Sequence, residues 1–205
     1  MTEPRRRGRP PVSGGPSTRE VILQAARHVF SEQGYEGTTV KAIAERAGLT
    51  RPAVNHYFRT KEALYRALFT STRQTVVAAG ADTAQARETL SGQLAAFLRS
   101  ASQVDSRDRS YARFMAASLL DAFRHPELGD SAHGQLADVR EFVGGAVRMA
   151  VEPGEIRADT DVPAVTEMLV AVLWGMGLYA GFVGTHDQLE SVVAQFCRLL
   201  EGTLW

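Results

Sequence analysis

The sequence predicts an all-α protein with a small N-terminal three-helix domain and a larger C-terminal helical domain. Apolar residues recur at helical spacing from residue 17 almost to the end, and capping residues stand at the breaks between these stretches. No segment shows the alternation that is typical of a strand. We expect a disordered arm over 1–16, the small domain over 17–62 and the large domain over 63–205.

The charges are divided unevenly along a chain whose net charge is zero. Residues 1–70 contain 12 Lys+Arg and 6 Asp+Glu, so the remaining residues contain 11 and 17, from totals of 23 each. A basic front on an acidic body indicates that the N-terminal part faces a polyanion. Chance clustering of charge is the alternative.

Capping residues delimit three helices in the small domain. A capping box at Ser17–Glu20 opens the first helix, which we expect to end near Gly34. A second helix covers about 39–47, and Gly48 permits the positive φ of a tight turn. A third helix over 50–58 completes a unit with the dimensions of a helix-turn-helix.

The third helix has a polar face if Val54 and Phe58 pack inward. Such a face suits the major groove of DNA, where Arg51 can donate to guanine or phosphate and Asn55 can pair with adenine. The N-termini of the neighbouring helices can bind phosphate, and so can Lys61. The candidate DNA-contacting residues are Thr39, Lys41, Thr50, Arg51, Ala53, Asn55, His56, Tyr57 and Lys61. A polar helix that faces only solvent is the alternative.

Two stretches of this domain resemble the TetR family of transcriptional repressors. They are TTVKAIAERAGL at 38–49 and HYFRTKEAL at 56–64, within a similarity over about 17–69. The resemblance implies an all-α homodimer in which a long fourth helix joins the DNA-binding unit to a divergent ligand-binding and dimerisation domain. It also implies DNA roles for Thr39, Lys41, Thr50, Arg51, Ala53, Asn55, Tyr57 and Lys61.

Asn55 departs from the pattern of the family. A tyrosine that contacts phosphate usually stands at this position, and this chain has its tyrosine at Tyr57 instead. Base reading and phosphate contact therefore both stay open for Asn55.

The basic arm extends the predicted DNA contact towards the N-terminus. Arg7-Gly8-Arg9-Pro10 looks like an AT-hook core, which can place arginines in an A·T-rich minor groove. A general gain in non-specific affinity and a solvated tail are the alternatives. The arginines concerned are Arg5, Arg6, Arg7 and Arg9.

The large domain is expected to hold a pocket for a small molecule among apolar helices, as the resemblance implies. Aromatic and large apolar side chains are its candidate lining, with plain core packing as the alternative for each. They are Phe97, Tyr111, Phe114, Met115, Leu119, Phe142, Met149, Trp174 and Leu178.

The last two predicted helices, over about 162–183 and 186–203, are the candidates for dimerisation. Glycines can admit a second backbone, and an apolar stripe can pack against its mate in an isologous four-helix bundle. Packing within the chain is the alternative. The residues are Gly175, Gly177, Gly181, Leu189, Val193, Phe196 and Leu200.

The sequence contains no Walker loop, nucleophile elbow or HExxH motif, and its five histidines lack metal-ligand spacing. We therefore expect no enzymatic activity, no cofactor and no metal. We expect no membrane partner either, although residues 168–185 carry no charge and reach the lower length limit of a spanning helix.

These patterns and the resemblance together predict a cytoplasmic regulator of transcription. We expect a homodimeric repressor that binds a palindromic operator and is released by a small apolar or amphipathic effector. An enzyme with an appended DNA-binding domain, an architectural DNA binder without an effector and an activator are the alternatives.

Overall fold

The computed structural model describes residues 16–105 and 108–204, and all regular structure within them is helical. The predicted arm residues Arg5, Arg6, Arg7 and Arg9 lie outside the described residues. In chain order the helices are α1 Thr18–Gly37, α2 Val40–Arg46, α3 Arg51–Tyr57, α4 Lys61–Arg73, α5 Ala79–Gln85, α6 Leu90–Asp105, α7 Ser110–Arg124, α8 Gly129–Val151, α9 Val162–Leu178 and α10 His186–Leu200. Gln74–Ala78 and Tyr179–Val183 are π-helical, and Pro126–Leu128 is a 3₁₀ helix.

The predicted caps of the small domain are confirmed. The Ser17 hydroxyl accepts from the Glu20 amide at 3.3 Å, and the Glu20 carboxylate accepts from the Ser17 amide at 2.7 Å. Thr39, Thr50 and Thr60 each accept from the amide three residues later, at 3.1, 3.3 and 3.0 Å. These bonds satisfy helix-start amides that would otherwise have no partner in the helix, so local sequence determines where α1 to α4 begin.

α1 is interrupted at Gly34 and does not end there. Gly34 has φ 68°, and helical geometry resumes afterwards as far as Gly37. The break removes the helical partner of the Tyr35 amide, which instead donates to both carboxylate oxygens of Asp121 at 3.2 Å. A buried acidic side chain of α7 thus completes the hydrogen bonding of α1.

The fourth helix is continued by further helical turns. Helical backbone runs on from α4 through the π-helical turn 74–78 and α5 to Gln85. α6 begins at Leu90, whose amide donates to both Glu155 carboxylate oxygens at 2.9 Å. This helix start is satisfied both from 65 residues away and locally, because the Thr89 hydroxyl accepts from the Gly92 amide at 3.1 Å.

Two apolar cores are present, and α4 contributes to the first. The N-terminal core is formed by α1 to α4 together with Phe114 of α7 and Leu128. Leu64, Tyr65 and Leu68 belong to it, so it continues beyond the predicted boundary at residue 62. The C-terminal core is formed by residues from the π-helical turn 74–78 through α10. The N-terminal three-helix unit therefore packs directly on α7.

Candidate functional site

The outer face of α3 is exposed and mostly polar. Val54 and Phe58 are buried in the N-terminal core, as predicted. The opposite side exposes Arg51, Asn55 and the adjoining rings of His56 and Tyr57. A short helix thus carries both hydrogen-bond donors and hydrogen-bond acceptors, an arrangement that suits the reading of base edges.

The other predicted DNA-contacting residues of α2 and α3 surround this face. Thr39 and Thr50 are exposed at helix starts, although their hydroxyls already accept from their own helices. The Lys41 amine is exposed and lies 3.7 Å from the Glu45 carboxylate. Ala53 is half-buried, which leaves room for close approach to α3.

Lys61 has a structural role that sequence reasoning missed. Its amine donates to the Tyr35 carbonyl at 2.8 Å and to the Glu36 carbonyl at 3.4 Å, and it lies 4.3 Å from the centre of the Tyr35 ring. Lys61 therefore neutralises the carboxyl end of α1, where carbonyl groups and the helix dipole favour a cation.

A cavity of about 110 Å³ lies within the C-terminal domain. Four of the predicted lining residues surround it: Phe97, Tyr111, Met115 and Trp174. Phe142 lies behind the wall and stacks on Phe97 with ring centres 4.9 Å apart. The remaining lining residues are Val76, Val77, Leu98, Ala101, Ser102, Ala112, Val139, Leu173, Met176, Gly177, Ala180 and Leu189.

Four predicted lining residues are placed elsewhere. Phe114 packs in the N-terminal core against Tyr65, with ring centres 5.3 Å apart. Leu119, Met149 and Leu178 are 37, 61 and 53% exposed, on the outer sides of α7, α8 and α9. Apolar composition did not distinguish these positions, because the rotation of each helix about its axis is fixed by its neighbours.

The predicted dimer stripe is largely used within the chain. Leu189, Val193 and Phe196 are buried in the C-terminal core, and Leu200 packs against it, so the assignment of this stripe to a partner is wrong. Gly177 is half-buried and Gly181 is buried. Gly177 lines the cavity, and a side chain at Gly181 would lie 3.1 Å from the Arg113 amide nitrogen. Gly175 is exposed.

An outward apolar stripe runs the length of α9 and its π-helical continuation. We call it, together with the outward residues of α10, the α9–α10 face. Its α9 residues follow a spacing of three and four, a signal that was readable from the sequence. They are Ala164, Met168, Ala171, Gly175, Leu178 and Phe182, and α10 adds Val192, Gln195 and Leu199.

The 22 residues Val162–Val183 are also long and apolar enough to meet the composition criteria for a membrane span, with a mean hydropathy of 1.5 over 18 of them. Only 28% of those 18 residues are buried within the chain. One side of α9 packs on the C-terminal core and the other carries the α9–α10 face. The segment is therefore buried on one side only, and its other side exposes apolar residues.

The cavity is connected to the DNA-binding unit by direct contacts. The guanidinium of Arg27 in α1 lies 3.6 Å from the centre of the Tyr111 ring, and its Nε donates to the Ser110 hydroxyl at 2.7 Å. Val76 and Val77, in the π-helical turn that continues α4, form another part of the wall. α1 contacts the lining of the cavity, and the π-helical continuation of α4 forms part of it.

The described ranges, 16–105 and 108–204, contain no group of three or more His, Cys, Asp or Glu side chains suited to a metal ion.

Comparisons with known proteins cover both domains. Residues 22–68 match the model of bacterial regulatory proteins of the tetR family, and residues 84–196 match that of the tetracyclin repressor-like C-terminal domain. The transcriptional regulator UidR of Escherichia coli K12 is 25% identical over 161 residues, 78% of this chain and 79% of UidR. The repressor AcnR of Corynebacterium glutamicum is 46% identical over 52 residues, 25% of this chain and 28% of AcnR.

Solved structures share the fold over nearly the whole chain. GusR of Salmonella enterica superposes with a TM-score of 0.72 at 22% identity, over 91% of this chain and 95% of GusR. FadR of Bacillus subtilis, solved with stearoyl-CoA, has a TM-score of 0.72 at 21% identity, over 90% and 98% of the two chains. The relatives are DNA-binding regulators and not enzymes. The chain belongs to the TetR family of bacterial transcriptional regulators.

Proposed function

We propose that the chain is a homodimeric, ligand-responsive repressor that acts in the cytoplasm. It binds a palindromic operator and is released by a small apolar or amphipathic molecule in the cavity. One contact carries this proposal: Tyr111, which lines the cavity, lies directly beneath the guanidinium of Arg27 in α1. Repression is favoured because AcnR is named a transcriptional repressor.

The DNA contacts are assigned from exposure and chemistry. Arg51 and Asn55 face outward from α3 and reach towards base edges. Thr39 and Tyr57 contact phosphates, and Lys41 and Lys61 add positive charge beside them. His56 supports Tyr57, because their rings meet edge to face with centres 5.3 Å apart.

The α9–α10 face is the dimer interface in this proposal. A second copy related by a twofold axis presents the same stripe, so the four helices form an isologous bundle. A membrane is the weaker occupant, because buried Leu169, Leu173 and Met176 hold the other side of α9 in the C-terminal core. Dimerisation places two recognition helices about 34 Å apart, one turn of DNA.

Ligand binding acts by shifting a population between two arrangements. A molecule in the cavity presses on Tyr111, whose ring packs against Arg27 of α1. It also presses on Val76 and Val77, in the π-helical turn that continues α4. If it binds the arrangement with the wrong helix separation more tightly, it lowers DNA affinity by at most the ratio of the ligand's affinities for the two arrangements.

A selection of DNA sequences bound by the full chain, repeated with a library of metabolites, tests the regulatory function. We expect enrichment of a palindrome and loss of binding with at least one metabolite. A protein that retains sequences without symmetry, and that no metabolite releases, would be an architectural binder.

Light scattering of purified variants tests the interface. Met168→Glu combined with Leu178→Glu buries charge in the proposed bundle and should yield a monomer. Phe123→Glu on α7, where the side chain is 88% exposed, is the matched control and should remain a dimer. A dimer in both cases would place the interface elsewhere.

A further inference from the structure

Two arginines outside the predicted set of DNA contacts flank Phe58, at the C-terminal end of α3. Arg19 belongs to the first turn of α1, and Arg59 lies in the short connection between α3 and α4. Both arginines are exposed. Phe58 itself is 6% exposed and packs in the N-terminal core, so it fixes this corner of the helix-turn-helix. Two positive charges are thus placed beside one end of α3.

Arg19 is held in place by an aromatic ring instead of an acidic side chain. Its guanidinium carbon lies over the Phe58 ring, 5.4 Å from the ring centre, within the range of a cation–π contact. The neighbouring Glu20 carboxylate accepts from the Ser17 amide at 2.7 Å. Within 16–105 and 108–204, Arg19 forms no ion pair and no side-chain hydrogen bond. A cation in the first turn is also disfavoured by the helix dipole, so the stability of α1 does not account for this residue.

Arg59 occupies a connection whose two ends are both fixed. Phe58 on one side is buried in the core, and Thr60 on the other caps α4 with its hydroxyl. The Glu62 carboxylate, the nearest acidic group along the chain, pairs with Arg66 at 2.9 Å. Arg59 itself has no ion pair among the residues that the structure describes. Its charge is therefore exposed at a fixed position, without an acidic partner.

The C-terminal end of a helix that reads the major groove is a place where the DNA backbone comes close. In homeodomains, for example, this end of the reading helix contacts the backbone. Phosphate contacts position a protein on DNA, and a guanidinium can give a phosphate two parallel hydrogen bonds. Two guanidinium groups without acidic partners at this end of α3 therefore suit the phosphates at the edge of the groove.

We propose that Arg19 and Arg59 form a phosphate-binding pair that anchors one strand of the operator at the C-terminal end of α3. The pair adds affinity that does not depend on base sequence, whereas Arg51 and Asn55 read bases. This inference rests on the proposed function for the seating of α3 in the major groove. It adds two contacts that the sequence motif did not identify, and it assigns Phe58 as the residue that positions Arg19.

Variants that remove or keep the charge, made in the full chain, test the pair. Arg19→Gln and Arg59→Gln remove it, whereas Arg19→Lys and Arg59→Lys keep it. Arg87→Gln, at an exposed arginine in the connection between α5 and α6, is the matched control. Fluorescence anisotropy at several salt concentrations measures the affinity of each variant for two labelled duplexes, the one most enriched by DNA selection and one of unrelated sequence. Thermal unfolding checks that each variant is folded.

Each glutamine variant should weaken binding to both duplexes by a similar factor. One phosphate contact contributes about 0.9 to the slope of log affinity against log salt, so a dimer that loses the contact in both protomers should have a slope smaller by about 1.8. The lysine variants should retain most of the slope, because an ammonium also neutralises a phosphate. Arg87→Gln should leave affinity and slope unchanged.

An unchanged slope in either glutamine variant would overturn the inference, and so would an altered base preference. A lysine variant whose slope falls as far as that of the glutamine variant would also overturn it, because charge would then not be the cause. The proposed function is judged separately, from the symmetry of the enriched sequences and from release by a metabolite. If both are observed while the glutamine variants keep their slope, the inference alone fails. If the slopes fall but no palindrome is enriched and no metabolite releases the DNA, the proposed function alone fails.

Discussion

The Tyr65 hydroxyl donates to Asp121 Oδ2 at 3.1 Å, where α4 of the DNA-binding unit meets α7 of the C-terminal domain. The same carboxylate accepts from the Tyr35 amide beyond the break in α1. Burial, together with the adjacent Asp121 charge, holds the pKa of Tyr65 well above its ordinary value, so the phenol remains a donor. Asp121 therefore connects three helices through one side chain.

Asp121→Ala should lower the free energy of unfolding by about 1–3 kcal/mol, because it leaves the Tyr35 amide and the Tyr65 hydroxyl buried without an acceptor. Urea denaturation measures this change. Tyr65→Phe removes one of the two donors and should cost less. In a double-mutant cycle the two effects should be non-additive, since they share a hydrogen bond, and additive effects would contradict the shared role.

His28 should make the stability of the α1–α7 contact depend on pH. Burial lowers the pKa of His28 below its ordinary 6.5, more than Asp108, 3.1 Å from Nε2, raises it. The unfolded state therefore binds more protons as the pH falls through about 6.5, and the free energy of unfolding decreases there. Stability attributable to neutral His28 is present above this pH and disappears below it.

Denaturation at about pH 7.5 and about pH 5.5 measures this decrease. His28→Gln should reduce the difference between the two values, whereas His56→Gln, at an exposed position on α3, should not. Burial alone raises the pKa of Asp108, but its hydrogen bonds with Ser110 and the charge of His28 hold it below the ordinary value. Asp108 accordingly stays ionised over this range, and an unchanged difference in His28→Gln would exclude His28 as the cause.

Lys61→Ala should weaken DNA binding evenly across DNA sequences and also destabilise the protein. The first effect follows from the proposed phosphate role, and the second from removal of the bond to the Tyr35 carbonyl, about 1 kcal/mol. Lys41→Ala is the matched control, because its amine is exposed and pairs with Glu45 of its own helix. It should weaken DNA binding with little change in Tm. A change in base preference in Lys61→Ala would contradict the phosphate role.

Gly181→Ala and Gly177→Ala should have opposite effects on stability. A methyl group at Gly181 would lie 3.1–3.3 Å from the α7 backbone at 112–113, so the helices must separate, at a cost of about 1–3 kcal/mol. At Gly177 nothing lies within 4 Å, and helix propensity favours alanine by about 0.8–1.0 kcal/mol. Thermal unfolding compares the two, and equal destabilisation would show that the close approach at Gly181 has no effect.

Deletion of residues 1–12 should weaken DNA binding and flatten its dependence on salt. Each of Arg5, Arg6, Arg7 and Arg9 that binds a phosphate contributes about 0.9 to the slope of log affinity against log salt, and the deletion removes that contribution. Fluorescence anisotropy at several salt concentrations measures this slope. An unchanged slope would show that the arm binds no phosphate.

Features that depend on neighbouring residues follow from the sequence alone. Ser17, Thr39, Thr50 and Thr60 cap their helices because each hydroxyl reaches an amide three positions away. The inward residues of α3 and its outward polar face follow from helical periodicity, and the family follows from the motif built on them.

Which apolar stripe meets which neighbour is set by the packing of the whole chain. Leu189, Val193 and Phe196 fill the C-terminal core, and the less apolar side of α10 faces outward. The break in α1 leaves the Tyr35 amide without a helical partner. This amide donates to the buried carboxylate of Asp121, which is far away in the chain. Periodicity marks the apolar side of a helix, but the partner of that side is fixed by packing among residues that are distant in sequence.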